Sequence, residues 1–520
     1  MRRRNLLEAE AGAGEGPVSS TDGGTGTGFT QHIALQAGGQ PMSRTGSAAH
    51  ESDPLAGIPD RVSVLVIGMG QAGLSTAYHL RRRGFADERA LLLVDANPGP
   101  GGAWQHRWPS LTLETTNRVS DLPGWGLRDA LPVDETVPAA TTVPEYYGRY
   151  ERRYGMRVRR PVTVERVEQP GGVGSDFLVT LSASGAAGDS GPGRQIRRVR
   201  ARAVVNATGT WDRPRRPYAP GFETFRGRVL HTHDFTQAED FRGQRVLVVG
   251  AGISAVQHIE ELSAVTEVFW TSRRKPDIRA EQFTPEYGQA VIARVEERVR
   301  AGLPPGSVVS NTGLPLGTAG TAGLCTLTEC MPMFDRVEAR GVVWEGLDAA
   351  SGGAPSGTSV DEAPASQISP RTAAPEATLR PRAPSSAEVS LPPATPAASE
   401  APARERGLVP YGWGRVPASG RLSVDVLLWA TGFLHRLDHL APLGLRTPEG
   451  GIVIDGRLAT RAAVNPGLHL PGYGPSASTI GANRAGRAVA REIEDYLAEH
   501  GSSDRLPADP CLADQHPPGN

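Results

Sequence analysis

The sequence predicts an α/β fold with two domains, each built around a parallel sheet. An apolar strand, a glycine-rich loop and a helix occur together at residues 61–84 and again at residues 244–262. Such a unit begins a βαβ arrangement, in which a helix joins consecutive parallel strands. The chain has 520 residues, more than one hydrophobic core usually supports. We therefore expect two domains of this class.

The first glycine loop has the spacing of a dinucleotide site. The apolar run 62–67 predicts a buried strand, and a helix is predicted over 72–80. Between them lie the three glycines of a G-x-G-x-x-G pattern: Gly68, Gly70 and Gly73. They allow a tight turn, close approach of backbone to a pyrophosphate, and packing of the helix on the strand. Asp95 follows the next apolar strand, where a carboxylate binds a ribose hydroxyl. An isolated glycine pattern can be a structural turn, but here strand, helix and acid all occur.

The second glycine loop has a different continuation. The loop and the start of its helix contain Gly250, Gly252, Ser254 and Ala255. The following strand ends in Ser272, Arg273 and Arg274 instead of an acid. A carboxylate would repel the 2′-phosphate of NADPH, whereas guanidinium groups bind it. The second site is therefore predicted to bind NADPH rather than NADH. The alternative is that these arginines form a solvated face of an arginine-rich chain.

Two Ala-Thr-Gly turns and a C-terminal strand–helix unit add to this pattern. Each turn ends an apolar strand, and its polar and flexible residues are candidates for contact with a cofactor: Thr208, Gly209, Thr431 and Gly432. Residues 468–497 read as a strand, a glycine turn and a long helix with Ser478 near its start. The positive end of that helix dipole could face the negative edge of a reduced flavin. Two sites in one chain suggest two dinucleotides, with FAD at the first loop and a nicotinamide donor at the second.

Composition limits the other classes of function. The formal net charge is −1, which gives no electrostatic reason for a nucleic-acid or membrane partner. No apolar run approaches the roughly 18 residues that span a bilayer. The three cysteines do not form a disulfide framework, and no metal site is predicted. A reduced, cytoplasmic protein is the expectation. Residues 1–58 and 347–406 are predicted to be disordered because their composition cannot bury enough apolar surface.

A further motif makes a family resemblance specific. The stretch FRGRVLHTHDF (225–235) matches F-x-G-x-x-x-H-x-x-x-[YFW] through Phe225, Gly227, His231 and Phe235. The stretch GGAW (101–104) is similar to a G-G-[TS]-W element. With the paired loops and turns, the chain from about 60 to 500 resembles the class B flavin-dependent monooxygenases. This group contains the flavin-containing monooxygenases, YUCCA-type enzymes and Baeyer–Villiger monooxygenases.

The resemblance implies an architecture and a set of cofactors. It implies two Rossmann-like domains, the NADPH-binding one inserted into the FAD-binding one, with molecular oxygen as co-substrate. NADPH would reduce the flavin, and oxygen would then form a C4a-(hydro)peroxyflavin. The predicted boundaries are a tail at 1–58, the FAD domain at 59–224 and 425–500, the NADPH domain at 225–424, and a C-terminal tail at 501–520.

The resemblance also implies site residues. Gly102 and Trp104 would border the FAD, and Asn117 is a candidate catalytic contact near flavin C4a. Side chains expected to pack on the flavin side are Trp104, Trp108, Leu111 and Leu113. His231, the second candidate catalytic residue, would link the passage between the domains to the nicotinamide site, although a structural histidine is an equal alternative. A helix over 285–302, suggested by its apolar spacing, could cover the nicotinamide or the substrate.

The predicted reaction is oxygenation of nitrogen or sulfur in a small organic substrate. Baeyer–Villiger enzymes typically carry Trp where this chain has Phe235, and their R-[YF]-P-G segment is here RWPS (107–110). Alternatives are Baeyer–Villiger oxygenation of a ketone, and reductase or oxidase activity without oxygen transfer. A disulfide oxidoreductase needs a redox cysteine pair, whereas Cys325 and Cys330 have the wrong spacing. A non-catalytic nucleotide-binding scaffold is a further alternative. Substrate identity and oligomeric state stay open.

Overall fold

Two parallel sheets organise the part of the chain that the structure, a computed structural model, describes. The described residues are 53–86, 88–116, 119–184, 194–279, 285–306, 313–315, 329–345, 413–477 and 479–500. Their strands, in chain order, are β1 (Arg61–Ile67), β2 (Leu91–Val94), β3 (Val158–Arg159), β4 (Thr163–Glu168), β5 (Phe177–Ser184), β6 (Arg194–Asn206), β7 (Arg228–His231), β8 (Arg245–Val249), β9 (Glu267–Ser272), β10 (Ile278–Arg279), β11 (Leu314–Pro315), β12 (Cys330–Pro332), β13 (Arg336–Glu338), β14 (Gly341–Val343), β15 (Arg421–Ser423), β16 (Val426–Trp429), β17 (Ile454–Asp455), β18 (Arg461–Ala462) and β19 (Asn465–His469). Their α-helices are α1 (Gln71–Arg81), α2 (Leu127–Ala130), α3 (Ala139–Arg153), α4 (Ile253–Ser263), α5 (Pro285–Arg300) and α6 (Thr479–Glu499).

The first sheet contains the first glycine loop. Its order is β17-β18-β19-β6-β1-β2-β3, and the hairpin β4–β5 joins it through β6. The central strands β19, β6, β1, β2 and β3 are parallel. Side chains of β1 alternate between the two faces, so Val64 and Val66 enter one core and Leu65 and Ile67 enter the other. A strand buried on both faces explains the nearly continuous apolar run in the sequence.

The second sheet contains the second glycine loop. Its order is β12-β9-β8-β16-β7, and every neighbouring pair is parallel. The same alternation occurs in β8, whose Val246 and Val248 face one core while Leu247 and Val249 face the other. All strands of this sheet lie between β6 and β17 in the chain, so one parallel-sheet domain is inserted into the other. The predicted fold class is confirmed.

The predicted elements near both loops are present, with small shifts. Strand β1 begins one residue before its predicted range, and helix α1 is one residue longer than predicted at each end. Helix α5 corresponds to the helix expected over 285–302 and ends two residues earlier. The C-terminal end of α5 lies on the first domain, because the Thr447 hydroxyl donates to the carbonyl of Gly302 at 2.8 Å. Helix α5 therefore connects the inserted part of the chain with the first domain.

Two predicted boundaries differ from the structure. The sequence analysis assigns residues 425–500 to the returning part of the first domain, but β16 pairs with β7 and β8 in the second sheet. The chain thus returns to the first domain only after Trp429. The tail predicted at 1–58 ends earlier, because Leu55 and Ile58 are buried in a core of the first domain. Both errors concern pairing or packing with residues far away in the sequence.

The other segment predicted to be disordered, the insert 347–406, and the predicted C-terminal tail 501–520 lie outside the described residues. Among the helices that the structure describes, none has both the length and the hydropathy required to cross a bilayer.

We predict that Gly68→Ala destabilises the fold. Gly68 has a φ of 88°, and a Cβ atom there would lie 2.6 Å from the carbonyl oxygen of Ala207. Strain and overlap together should lower the free energy of unfolding by about 2 kcal/mol or more, measurable by urea denaturation. Gly99→Ala is the matched control, since a Cβ at Gly99 would meet nothing within 4 Å. Equal stability of the two variants would contradict the prediction.

Candidate functional site

The first glycine loop leaves the start of α1 open to an anion. Gly70 caps α1, with no side-chain cap and no acidic residue in the first turn. The first backbone N–H groups of the helix are thus available to a phosphate. Residues Gly102–His106 form a short 3-10 helix against this loop, and a Cβ on Gly102 would lie 2.9 Å from the Cα of Gly70. The GGAW element therefore lies directly beside the loop, as the resemblance implies.

Asp95, the predicted ribose ligand, lies at the end of β2 in an ionic cluster. It is buried, and its Oδ2 accepts hydrogen bonds from the Arg160 guanidinium at 3.2 and 3.3 Å. Arg160 also binds Glu151 through two bonds of 2.7 Å. Oδ1 of Asp95 accepts from the backbone and side chain of Asn97. A carboxylate has about four acceptor positions, and these four contacts fill them, so a ribose hydroxyl would take the place of one of the present donors.

The second glycine loop repeats the geometry of the first. Gly250 has a φ of 144°, and a Cβ there would lie 2.3 Å from the carbonyl oxygen of Ala430. Gly252 caps α4, again without a side-chain cap or an acidic residue in the first turn, and Ser254 lies in that turn. In both domains the first glycine of the loop thus lies against the alanine carbonyl of an Ala-Thr-Gly turn. The residues present fit a phosphate-bearing dinucleotide at each loop.

The end of β9 presents two exposed guanidinium groups next to the second loop. Arg273 and Arg274 are exposed, and neither side chain has an ionic partner among the described residues. Ser272 differs from its predicted role as a cofactor contact: it is buried, and its hydroxyl donates to the carbonyl of Arg274. Ser272 therefore shapes the turn, and the two arginines remain the candidates for binding a 2′-phosphate.

The two chain connections between the domains pair with each other. We call this paired region, residues 209–216 and 432–438, the crossing. An antiparallel bridge joins Pro214 to Phe433, and the N–H of Arg215 donates to the carbonyl of Gly432 at 2.9 Å. Each threonine hydroxyl of the turns donates to a backbone carbonyl of the opposite connection: Thr208 to Arg436 and Thr431 to Arg215. Both threonine side chains therefore hold the crossing together, and their predicted role as cofactor contacts stays a prediction.

His231 lies where β7 meets the crossing, and both of its ring nitrogens bind backbone groups. Nδ1 accepts from the N–H of His233 at 3.0 Å, so Nε2 carries the proton and donates to the carbonyl of Gly432 at 3.0 Å. The side chain is fully buried. Burial lowers the pKa of His231 to about 4, so the ring is neutral at physiological pH. Its position is that of a brace between β7 and the second Ala-Thr-Gly turn.

Aromatic rings fill the space around the crossing. The ring of Trp211 lies 5.0 Å from those of Phe433 and His233, centroid to centroid, and 6.0 Å from that of His106. Trp211 follows the first Ala-Thr-Gly turn and Phe433 follows the second. Each turn therefore contributes one ring to the same stack.

The segment after GGAW joins the two domains more directly than expected. Trp108 is buried in the second domain, where its Nε1 donates to Glu261 of α4 at 2.9 Å and its ring lies 4.8 Å from that of His258. Leu111 belongs to the same core. The prediction of flavin-side packing is therefore wrong for Trp108 and Leu111. Trp104 packs against the cores of both domains.

Comparisons with known proteins agree with this geometry. A family model described as pyridine nucleotide-disulphide oxidoreductase matches residues 65–309. The chain is 28% identical over 221 residues to senecionine N-oxygenase of Tyria jacobaeae. This alignment covers 39% of this chain and 45% of that protein. It is also 30% identical over 258 residues to FAD-binding monooxygenase ausB of Aspergillus calidoustus, in an alignment that covers 45% of this chain and 38% of that protein. The chain spans less than half the length of these two curated relatives.

A solved structure extends the similarity over most of the fold. The flavin-containing monooxygenase from Stenotrophomonas maltophilia superposes with a TM-score of 0.56 at 26% identity, covering 84% of this chain and 100% of that one. The chain is related to the flavin-dependent monooxygenases. The predicted resemblance is confirmed.

Two residues that the sequence predicts to be functional lie outside the part of the chain that the structure describes. Asn117, the candidate catalytic contact, and Ser478, near the start of α6, lie outside the described residues. Both stay predictions.

The structure also contains functional candidates that were not predicted from the sequence, namely Trp211, Phe433, Glu261 and the pair Glu151–Arg160. The two rings had a signal in the sequence, since an aromatic residue follows each Ala-Thr-Gly turn within two positions. The ionic partners had no such signal in the sequence, because they belong to strands and helices that are far apart along the chain.

We predict that His231 makes stability depend on pH. Its pKa in the folded state, about 4, lies below the ordinary value of 6.5, so between these values the unfolded state binds more protons. The stabilising contribution of His231 is therefore full above pH 6.5 and is lost as the pH falls towards 4. His231→Gln removes this titration while offering one donor and one acceptor. The difference in unfolding free energy between wild type and variant should shrink over this range in urea titrations.

The control for this experiment is His500→Gln at the exposed end of the chain that the structure describes. A difference between wild type and His231→Gln that stays constant from pH 7 to pH 4 would contradict the prediction.

Proposed function

We propose that this chain is an FAD-dependent monooxygenase that consumes NADPH and inserts one oxygen atom into nitrogen or sulfur of a small organic substrate. One observation carries the proposal: two glycine loops of matching geometry, each set against an Ala-Thr-Gly turn, belong to domains whose connections meet in one aromatic-lined crossing. That arrangement suits two dinucleotides whose redox rings must meet away from water.

The residues of the first loop would hold FAD. The N-terminal N–H groups of α1 would bind the diphosphate, and Gly70 and Gly102 would let the backbone approach it. Asp95, oriented by Arg160, would accept a ribose hydroxyl. When bound, FAD accepts a hydride from NADPH and activates molecular oxygen. The protein's contribution there is to bind, orient and exclude water.

The residues of the second loop would hold NADPH. The start of α4, with Gly252 and Ser254, offers N–H donors to its diphosphate. Arg273 and Arg274 would bind the 2′-phosphate, because both are exposed and lack an ionic partner in the described part of the chain. An acid at this point would favour NADH instead.

The chemistry of Cys330 argues against disulfide reduction, the activity that the name of the matching family model suggests. Cys330 is buried in β12, where its Sγ contacts the Ser272 hydroxyl at 3.2 Å. Burial raises the pKa of the thiol to about 12, so little thiolate is present near neutral pH. The thiolate is the nucleophile of dithiol chemistry, and a buried thiol of this kind is inert.

The preference for nitrogen or sulfur rests on the resemblance. One relative is named an N-oxygenase, and Phe235 departs from the tryptophan typical of Baeyer–Villiger enzymes. Phe235 itself is buried against Phe241 and His258 in the second domain, so it does not select a substrate by direct contact. Oxygenation of ketones therefore remains the second candidate.

The purified full chain tests the proposal. It should bind FAD with the absorbance of a flavoprotein, oxidise NADPH while consuming oxygen, and add one oxygen atom from ¹⁸O₂ to an amine or sulfide in a mass-spectrometric screen. A ketone panel run in parallel separates the Baeyer–Villiger alternative. Protein that takes up no FAD, or NADPH oxidation that follows an added disulfide instead of oxygen, would overturn the proposal.

We predict that the double variant Arg273→Gln/Arg274→Gln loses the preference for NADPH. Removing two charge-assisted contacts to the 2′-phosphate should lower kcat/KM for NADPH about 10- to 100-fold. NADH lacks that phosphate, so its kcat/KM should change little and serves as the internal control. Equal losses with both donors, measured by initial rates of flavin reduction, would remove the two arginines from cofactor recognition.

A further inference from the structure

Arg107 is a cation without an ionic partner beside the crossing. Its Nε is buried and has no hydrogen-bond partner among the described residues. The Arg107 Cζ lies 4.5 Å from the ring centroid of Trp211 and 5.9 Å from that of Trp104. Its surroundings are therefore aromatic, and a cation–π contact compensates only part of the lost hydration.

The acids of the crossing and its flank are already paired with other arginines. Three ion pairs span the crossing or its flank: Arg213–Asp438, Arg216–Asp234 and Arg436–Asp212. No described carboxylate lies within ion-pair distance of the Arg107 guanidinium. The junction of the two domains therefore has an unneutralised positive charge in the absence of a ligand.

This charge persists at physiological pH. Burial lowers the pKa of Arg107 to about 10, which still leaves the guanidinium protonated near pH 7. A half-buried cation that cannot neutralise itself and has no acidic partner among the described residues is destabilising. An anion that enters with a ligand would relieve this cost and gain charge-assisted hydrogen bonds.

The segment that contains Arg107 contacts the second domain. The adjacent residue, Trp108, is anchored on α4 through Glu261 and His258. Trp211, under the guanidinium, belongs to the crossing and stacks on Phe433 next to the second Ala-Thr-Gly turn. A segment of the first domain thus places a cation on the side of the junction formed by the second domain.

We propose that Arg107 binds the diphosphate of the nicotinamide dinucleotide across the domain junction. This inference rests on the proposed function and adds a binding residue supplied by the first domain to the second site. A diphosphate matches the guanidinium in charge and in its capacity for paired hydrogen bonds. The FAD diphosphate offers the same chemistry, because the 3-10 helix just before Arg107 contacts the first loop. The experiment separates these two sources.

The test measures binding in wild type, Arg107→Gln and Arg107→Lys. NADP⁺ is titrated into the FAD-loaded proteins by calorimetry, and FAD is titrated into the FAD-free proteins. We expect Arg107→Gln to weaken NADP⁺ at least about tenfold, Arg107→Lys to weaken it less, and FAD affinity to stay within about twofold. Arg215→Gln, an exposed arginine of the crossing whose side chain has no ionic partner among the described residues, is the matched control.

Thermal unfolding distinguishes ligand binding from a structural role. Without NADP⁺, Arg107→Gln should unfold at the same or a higher temperature than wild type, because it removes an uncompensated charge. With NADP⁺, the stabilisation seen in wild type should largely disappear. A lower unfolding temperature of the ligand-free variant together with unchanged NADP⁺ affinity would overturn the inference in favour of a structural cation.

The remaining outcomes are also decisive. Weakened FAD with unchanged NADP⁺ would assign Arg107 to the flavin diphosphate and reject the inference as stated. Failure of the wild type to bind FAD would reject the proposed function and this inference together. Normal FAD and NADP⁺ binding in wild type without oxygen transfer would reject the monooxygenase proposal and leave the comparison of Arg107 variants valid.

Discussion

The close approach of each glycine loop to an Ala-Thr-Gly turn is the constraint on which the site depends. A Cβ at Gly68 or Gly250 would lie 2.6 or 2.3 Å from an alanine carbonyl oxygen of that turn. No side chain fits in this gap, so the loop and the turn form one rigid unit at the carboxyl edge of each sheet. Ligands of open α/β sheets bind at that edge. Because the turn is also where the chain leaves the domain, the same contact sets both the nucleotide site and the direction of the crossing.

The crossing follows from this constraint. The two connections start from equivalent turns, and the threonine hydroxyls of those turns bind carbonyls of the opposite connection. Three ion pairs and the stack around Trp211 add to this pairing. The exposed ion pairs contribute little individually, so we expect the backbone pairing and the ring packing to contribute more to stability there. Trp108 and helix α5 connect the domains at two further places, so their relative orientation rests on several independent contacts.

Features with a local cause were predictable from the sequence, and features that depend on distant partners were not. The strand, loop and helix around Gly68 follow from glycine spacing and apolar periodicity, and both were read correctly. Membership of β16 in the second sheet depends on pairing with β7, some 200 residues earlier, so its Ala-Thr-Gly ending alone did not assign it. Trp108 was misassigned for the same reason, because its partner Glu261 lies on α4 of the inserted domain. The hydroxyls of Ser272, Thr208 and Thr431 donate hydrogen bonds to backbone carbonyls, and no sequence pattern predicts these acceptors.

The family signature at 225–235 illustrates how a conspicuous motif can be structural. A Cβ on Gly227 would lie 2.2 Å from the Asp425 carbonyl oxygen. The absence of a side chain at Gly227 therefore lets the start of β7 lie close to the start of β16. His231 then fastens the end of β7 to Gly432, and Phe235 fills the core beside α4. Each residue thus fixes one point of the strand that begins the inserted domain. A motif of this kind indicates where one domain is inserted into the other. It does not indicate which atom of a substrate would receive oxygen. Under the proposed function, discrimination between nitrogen, sulfur and carbonyl carbon would therefore come from side chains outside the motif.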